Sequence, residues 1–235
     1  MNTEKLSHRL EAVTKYIPAG SRIADIGSDH AYLPCYAVKK GIVPFAIAGE
    51  VVEGPYQSAK KQVKLEGLED QISVRKGNGL EVVSQGEVDC ITIAGMGGAL
   101  ITTILEEGKD KLDSVKRLIL QPNLSAISIR TWLVDHGWEL IAEEILEEDG
   151  KIYEVLSAEK GEPLKPYKNV EKGLLMGPFL MGERSRVFQN KWQGEVKNWK
   201  RILLQLDKAA STEETEKRKQ ELYQKIKMAE EVLNQ

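Results

Sequence analysis

The chain has 235 residues, 41% hydrophobic and 29% charged, and its 33 Lys and Arg against 36 Asp and Glu give a formal charge of −3. That length holds one full α/β core with a small appendage, and the composition is that of a soluble globular protein. No apolar run approaches the ~18 residues that span a bilayer, and Met1-Asn2-Thr3-Glu4-Lys5 has no signal-peptide core, so a cytoplasmic protein with no membrane partner is expected. Cys35 and Cys90 read as reduced packing residues, and His8, His30 and His136 are too dispersed to suggest a metal site. The near-neutral total hides an asymmetry. Residues 184–235 hold 12 Lys and Arg against 8 Asp and Glu, or +4, which leaves 21 against 28, or −7, for residues 1–183.

Leu6, Leu10, Val13 and Ile17 recur at helical spacing and predict an amphipathic helix over 3–16, its other face carrying Lys5, His8, Arg9 and Lys15. Pro18-Ala19-Gly20 stops it. Strands at 22–26, 44–49, 71–75, 88–93 and 116–120 then alternate with helices at about 31–40, 54–66, 97–107 and 125–136. Such alternation, with near-continuous apolar strands, predicts a parallel sheet covered on both faces. The runs 138–148 and 151–159, joined by Asp149-Gly150, predict a closing antiparallel hairpin and so a seven-strand sheet. The domain reads as residues 1–160. A connector at 161–183, rich in Pro and Gly, leads to 184–235, where Phe188, Trp192, Val196, Trp199, Leu203 and Leu206 form one helical stripe and Leu222, Ile226, Ala229 and Leu233 another. Thr212 starts the second helix, and the two make an antiparallel helical hairpin or small coiled coil.

The first strand runs into Gly27, and Glu50 closes the second. A glycine turn followed by a ribose-binding acid is how an open α/β sheet holds a nucleoside. The turn is not the dinucleotide pattern, because Asp29 and Ala31 stand where further glycines belong, and Asp29 would repel a pyrophosphate. S-adenosylmethionine (SAM), with a sulfonium, an ammonium and no phosphate, suits an acidic turn. The closing hairpin, typical of the Rossmann-like SAM-dependent methyltransferase sheet, supports the same cofactor. The candidate cofactor-binding residues are Asp25, Gly27, Ser28, His30, Tyr32, Glu50, Val51, Asn78, Gly79, Ala94, Gly95, Met96 and Gly97. Asn78, in Gly77-Asn78-Gly79, can offer an amide to the adenine ring. Ala94-Gly95-Met96-Gly97-Gly98 reads as a bare-backbone floor after the fourth strand, where methyl and acceptor meet. Gln121-Pro122-Asn123 brings amides to the end of the fifth strand, for a base edge or a helix cap.

Asp25-Ile-Gly-Ser-Asp-His-Ala-Tyr-Leu-Pro34, Gly77-Asn-Gly79, Ile93-Ala-Gly-Met-Gly-Gly98, Gln121-Pro-Asn123 and the Asp149…Tyr153-Glu154 hairpin together resemble the bacterial TrmK family, the tRNA (adenine(22)-N1)-methyltransferases, over the whole chain. The resemblance implies methyl transfer from SAM to N1 of adenine 22 in the D arm of tRNA; composition and spacing do not carry the nucleotide position. Asp29 is the candidate catalytic residue, accepting from the adenine N6–H, with Asn123 or Gln121 orienting the base; Asp29 as a cofactor ligand only is the alternative. The basic hairpin is the expected tRNA-binding element of a monomer, and the first helix with Lys5, Arg9 and Lys15 is a second candidate. Competing readings are a methyltransferase of another RNA, a small molecule or a protein, and a non-catalytic RNA adaptor on the same fold.

Overall fold

The computed structural model describes residues 2–208 and 211–234. Ser7 caps the first helix by accepting from the Leu10 N–H at 3.3 Å, so α1 (His8–Lys15) is shorter than the predicted 3–16. Leu6 and Ile17, just outside it, are still buried. The chain continues through β1 (Arg22–Ile26), α2 (Tyr32–Lys39), β2 (Phe45–Glu50), α3 (Glu53–Leu65), β3 (Ile72–Lys76) and a 3₁₀ turn at Gly79–Val82. Then follow β4 (Cys90–Gly97), α4 (Gly98–Glu107), a second 3₁₀ turn at Lys109–Leu112, β5 (Arg117–Leu124), α5 (Ala126–Asp135), β6 (Trp138–Glu148) and β7 (Lys151–Lys160).

These strands form one seven-stranded sheet in the order β3-β2-β1-β4-β5-β7-β6. β1 to β5 are parallel, and the β6–β7 hairpin joins antiparallel through β7. Asp149 and Gly150, both left-handed at φ 52° and 71°, make the turn that a two-residue hairpin requires. The order reverses between β1 and β4, and the crevice at the carboxyl ends of strands at such a point is where ligands bind in open α/β sheets.

β4 and β5 run further than predicted, to Gly97 and Leu124. Ala94-Gly95-Met96-Gly97 is therefore an irregular strand extension, not a turn after the strand. Pairing with β5 slips between Ala94 and Met96 and again between Met96 and Gly97. Gly95, at φ 81°, supplies the left-handed residue that such a bulge uses. At the far edge Arg130 of α5 is fully buried and bonds Glu143 and Glu154, both at 2.7 Å, which ties α5 to the hairpin.

Two compact units divide the chain, Met1–Pro166 and Tyr167–Gln235. The segment 161–183 differs from the predicted connector. It contains α6 (Val170–Met176) and α7 (Pro178–Glu183), with buried Leu175, Met176 and Leu180. Two of its glycines have local jobs instead of loosening the chain. Gly177, at φ 90°, turns α6 into α7, and a Cβ on Gly173 would meet the Tyr167 ring at 2.5 Å. The second unit also holds α8 (Arg186–Leu206), capped by Ser185, and α9 (Glu213–Leu233), capped by Thr212. Phe188, Trp192, Val196 and Leu203 are buried along α8, and Leu222, Ile226, Ala229 and Val232 along α9. Val232 takes the deep position that spacing assigned to Leu233, which is half-buried. No described helix is long and apolar enough to cross a membrane.

Candidate active site

Beyond β1 the chain turns on Gly27, at φ 71°, and the Gly49 carbonyl accepts both the Gly27 N–H at 2.9 Å and the Ser28 N–H at 3.2 Å. Asp29, His30 and Ala31 follow in left-handed backbone at φ 30°, 59° and 54°. Three such non-glycine residues in a row cost about 1–2 kcal/mol each, and strain of this kind persists where the surroundings enforce it and collects at functional sites. Glu50 is part of the enforcement. Its Oε1 accepts the Asp29 N–H at 2.5 Å.

Asp25 and Glu50 are 4% and 6% exposed, uncommon burial for carboxylates. Ser28 Oγ and Thr92 Oγ1 each donate to Asp25 at 2.6 Å. Those bonds favour the charged form, but burial outweighs them, and with the nearby Glu50 it pushes the Asp25 carboxyl up to about 6. Burial likewise raises Glu50 above the ordinary carboxylate value, against the Asp29 N–H bond that lowers it. A cation arriving here would relieve both.

The opposite wall comes from β4 and β5. The Met96 methyl lies where a Cβ on Gly27 would stand, 2.1 Å from that position. Gln121 is fully buried, and its Oε1 accepts from the Gly95 N–H at 2.9 Å and from the Arg9 guanidinium while its Nε2 donates to Pro122 O. Both ends of that amide are committed inside the protein. The predicted role of Gln121 in orienting a base is therefore replaced by a positioning role, holding Gly95 and Arg9. Asn123 is exposed and donates through Nδ2 to the Gly95 carbonyl at 2.7 Å. Its Oδ1 accepts no hydrogen bond among the described residues.

A cleft of about 330 Å³ lies between these walls, within the range of small-molecule sites. Of the predicted residues it brings together Asp25, Gly27, Ser28, Asp29, Glu50, Ala94, Gly95 and Met96. His30 and Tyr32 stack on each other at 5.3 Å beside it, and Val51 is exposed past Glu50. Asn78 caps the 3₁₀ turn in a reciprocal box with Glu81, and Gly79 passes close to Ile104, so both have structural work outside the cleft lining. Gly97 lies beside Leu124.

Arg9, Leu10, Leu33 and Pro55 also line the cleft and were missed from sequence, as was Thr92 behind it. Thr92 had a signal, a hydroxyl in an otherwise apolar strand. Arg9 had none, since it lay on the helix face that spacing assigns to solvent. Among the described residues no group of three or more His, Cys, Asp and Glu could hold a metal ion.

Known proteins share this architecture. The family model described as tRNA (adenine(22)-N(1))-methyltransferase, TrmK, matches residues 23–231. The tRNA (adenine(22)-N(1))-methyltransferase of Bacillus subtilis (strain 168) is 52% identical over 236 residues, covering 100% of this chain and 99% of that protein. The crystal structure of the B. subtilis M1A22 tRNA methyltransferase TrmK superposes with a TM-score of 0.95 over 98% of this chain and 99% of that one. A Streptococcus pneumoniae protein crystallised with S-adenosyl-L-methionine is 46% identical at a TM-score of 0.87, over 97% and 100% of the two chains. Mycoplasma capricolum TrmK, in complex with the cofactor product S-adenosylhomocysteine, is 28% identical at 0.81, over 97% and 98%.

Proposed function

This chain belongs to the TrmK family of tRNA (adenine(22)-N(1))-methyltransferases, and from that premise we propose that it transfers a methyl group from SAM to N1 of adenine 22 in the D arm of tRNA. The single observation that carries the reading is the cleft at the reversal of the sheet. It sets three carboxylates, Asp25, Asp29 and Glu50, around a glycine turn in a chain that matches a named enzyme of this activity over its whole length.

The residues present fit SAM. Glu50 stands at the end of β2, where a carboxylate accepts ribose hydroxyls, and the buried acids suit a ligand with a sulfonium and an ammonium. When bound, SAM supplies an activated methyl group. Adenine N1 offers an in-plane lone pair and needs no deprotonation, so the protein's task is positioning and stabilisation of the positive charge that develops on the ring. Asp29 is the residue for that charge, its side chain 72% exposed at the cleft rim with His30 Nε2 3.6 Å from Oδ1, and its backbone held by the bond from its own N–H to Glu50. Asn123 Oδ1 is a second acceptor, fixed because its Nδ2 is tied to Gly95 O. N1 lies on the Watson–Crick edge, so the base must be unpaired or flipped to react, at a cost of a few kcal/mol.

The α8–α9 hairpin, with its surplus of Lys and Arg, is the element we assign to the tRNA backbone in a monomeric cytoplasmic enzyme. Mass spectrometry of nucleosides from tRNA incubated with protein and SAM tests the activity. The expected product is 1-methyladenosine, lost when adenine 22 is replaced. Methylation that survives the replacement, or none at all, would refute the assignment.

A further inference from the structure

Six large apolar side chains are exposed among the described residues of the first unit: Val51, Val52, Leu65, Leu100, Leu124 and Leu164. Scattered exposed leucines are ordinary on a protein surface. Four of these six, however, stand at the carboxyl end of the sheet, where the cleft opens. Val51 and Val52 follow Glu50 at the end of β2. Leu100, in the first turn of α4, and Leu124, the last residue of β5, stand beside the β4–β5 wall where the acceptor enters.

Leu124 is the more exposed of that pair, at 67%. It pairs in the sheet with Gly97, and its Cδ1 lies 3.9 Å from where a Cβ on Gly97 would stand. The side chain thus lies over bare backbone, one residue along from Met96 of the cleft lining. Its main chain is fixed from several directions. Asn123 before it donates to the Gly95 carbonyl at 2.7 Å. Ser125 after it is left-handed at φ 60°, and its carbonyl accepts the Ser128 N–H at 3.1 Å. A Cβ on Gly98 would stand 2.1 Å from the Ser125 carbonyl oxygen and 3.1 Å from that of Leu124, so only glycine lets α4 begin this close. A serine keeps such a conformation where its surroundings enforce it, and strain of that kind collects at functional sites.

An adenine that reacts at N1 must leave its helix, and it falls back into the stack unless something fills the gap. Proteins that open stacked steps insert an apolar side chain such as Leu, Ile, Met or Phe. Such a wedge must be exposed before RNA arrives, must be stiffly held and must stand beside the acceptor pocket. Leu124 meets all three conditions. We propose that Leu124 is the wedge that takes the place of the target adenine in the RNA stack. The proposal rests on the reading of the substrate as an adenine of folded tRNA. It gives the turn after β5 one task shared by two adjacent residues: Asn123 receives the base, and Leu124 keeps the helix from taking it back.

The test is single-turnover methylation at saturating SAM, with intact tRNA and with the same tRNA carrying an abasic site opposite adenine 22, which leaves that adenine unpaired from the start. Leu124→Ala should slow methyl transfer on intact tRNA by about tenfold or more and on the abasic tRNA by no more than about twofold. Its melting temperature and SAM affinity should stay near native, because the side chain is exposed and outside the cleft lining. Leu124→Met should recover most of the rate, and Leu65→Ala, at the far end of α3, should change neither substrate. With 2-aminopurine at position 22, whose fluorescence rises on unstacking, native protein should give a clear rise and Leu124→Ala a much smaller one at saturation. Equal slowing on both tRNAs, or a native rate and fluorescence rise in Leu124→Ala, would overturn the proposal. So would weaker tRNA binding with an unchanged rate at saturation, which would make Leu124 a docking contact. Failure of the native protein to methylate either tRNA would instead remove the reading on which the proposal rests.

Discussion

The Asp29 N–H donates to Glu50 Oε1 at 2.5 Å, so the acid proposed for the ribose and the strained first loop are one mechanical unit. Glu50→Gln keeps an acceptor for that N–H and removes the charge. It should weaken SAM by about 1.5–3 kcal/mol while leaving the loop intact. Glu50→Ala removes both and also frees residues 29–31 to leave the left-handed region, so its loss should be larger. Calorimetry on the pair separates the two effects, and native-like SAM affinity in Glu50→Gln would sink the ribose assignment.

Asp25 predicts a pH dependence with a definite sign. Its carboxyl titrates at about 6 in the folded chain against 3.8 for a free one, so between those values the folded state holds the extra proton. Stability therefore falls as pH rises through that window, and the cost of the buried charge is fully present above about pH 6. At about 1.4 kcal/mol per pH unit the interval amounts to about 3 kcal/mol. Asp25→Asn should then be more stable than the native, ligand-free protein at pH 7.5, with the gap closing toward pH 4. Denaturant titrations across that range check it; a gap that is flat with pH would place the burial penalty elsewhere.

Much of the fold was legible because it rests on local patterns. Alternating apolar runs gave the strands, and Asp149-Gly150 gave the closing turn. The site was legible where chemistry is carried by one position, as with Gly27 and Glu50. It was not legible where a role depends on what lies across the sheet. Gln121 looks like an acceptor-reading amide until β4 and α1 are seen to occupy both its ends. Arg9 is indistinguishable by spacing from Lys5 or Lys15, yet only Arg9 lines the cleft. Residues 161–183 misled in the opposite sense, since Gly173 and Pro178 serve close packing and a helix start there.

Gly27→Ala joins two insults. The new Cβ would displace the Met96 methyl, and alanine at φ 71° costs about 1–2 kcal/mol. The methyl is the far end of a flexible side chain, so Gly27→Ala combined with Met96→Ala should recover the steric part and keep the backbone part. SAM affinity should fall in the single variant and recover only partly in the double one, read by calorimetry beside a thermal melt. Full recovery would show that backbone conformation at Gly27 does not matter.

Asp29→Asn separates chemistry from binding. The backbone bond to Glu50 survives the substitution, so the loop and the SAM dissociation constant should change little. Single-turnover methyl transfer should slow by about tenfold or more if the carboxylate stabilises the developing positive charge. Parallel losses in rate and SAM affinity would make Asp29 a cofactor ligand only.

The hairpin prediction has to respect which cations are already engaged. Lys200 pairs with Glu230 at 2.6 Å, so reversing its charge would set two carboxylates together and disturb the hairpin itself. Lys197 and Arg201 are exposed on α8 and make no ion pair among the described residues; Arg201 only donates to Asn198, at 2.9 Å. Lys197→Glu with Arg201→Glu in the full chain should leave the melting temperature and SAM affinity near native. The same double variant should bind tRNA more weakly, and the slope of log K against log salt should become shallower by about one for each phosphate it no longer neutralises. A deletion made for the same purpose should begin at Tyr167, because cutting at Arg184 would leave α6 and α7 without α9, against which α6 packs. Filter binding of tRNA from 50 to 300 mM salt, roughly the span over which such charges are screened, reads both quantities. An unchanged affinity and slope in the double variant would transfer tRNA binding to other surfaces, with Lys5, exposed before the first helix and without an ion pair among the described residues, as the next cation to reverse, since Lys15 is engaged by Glu144 at 2.7 Å.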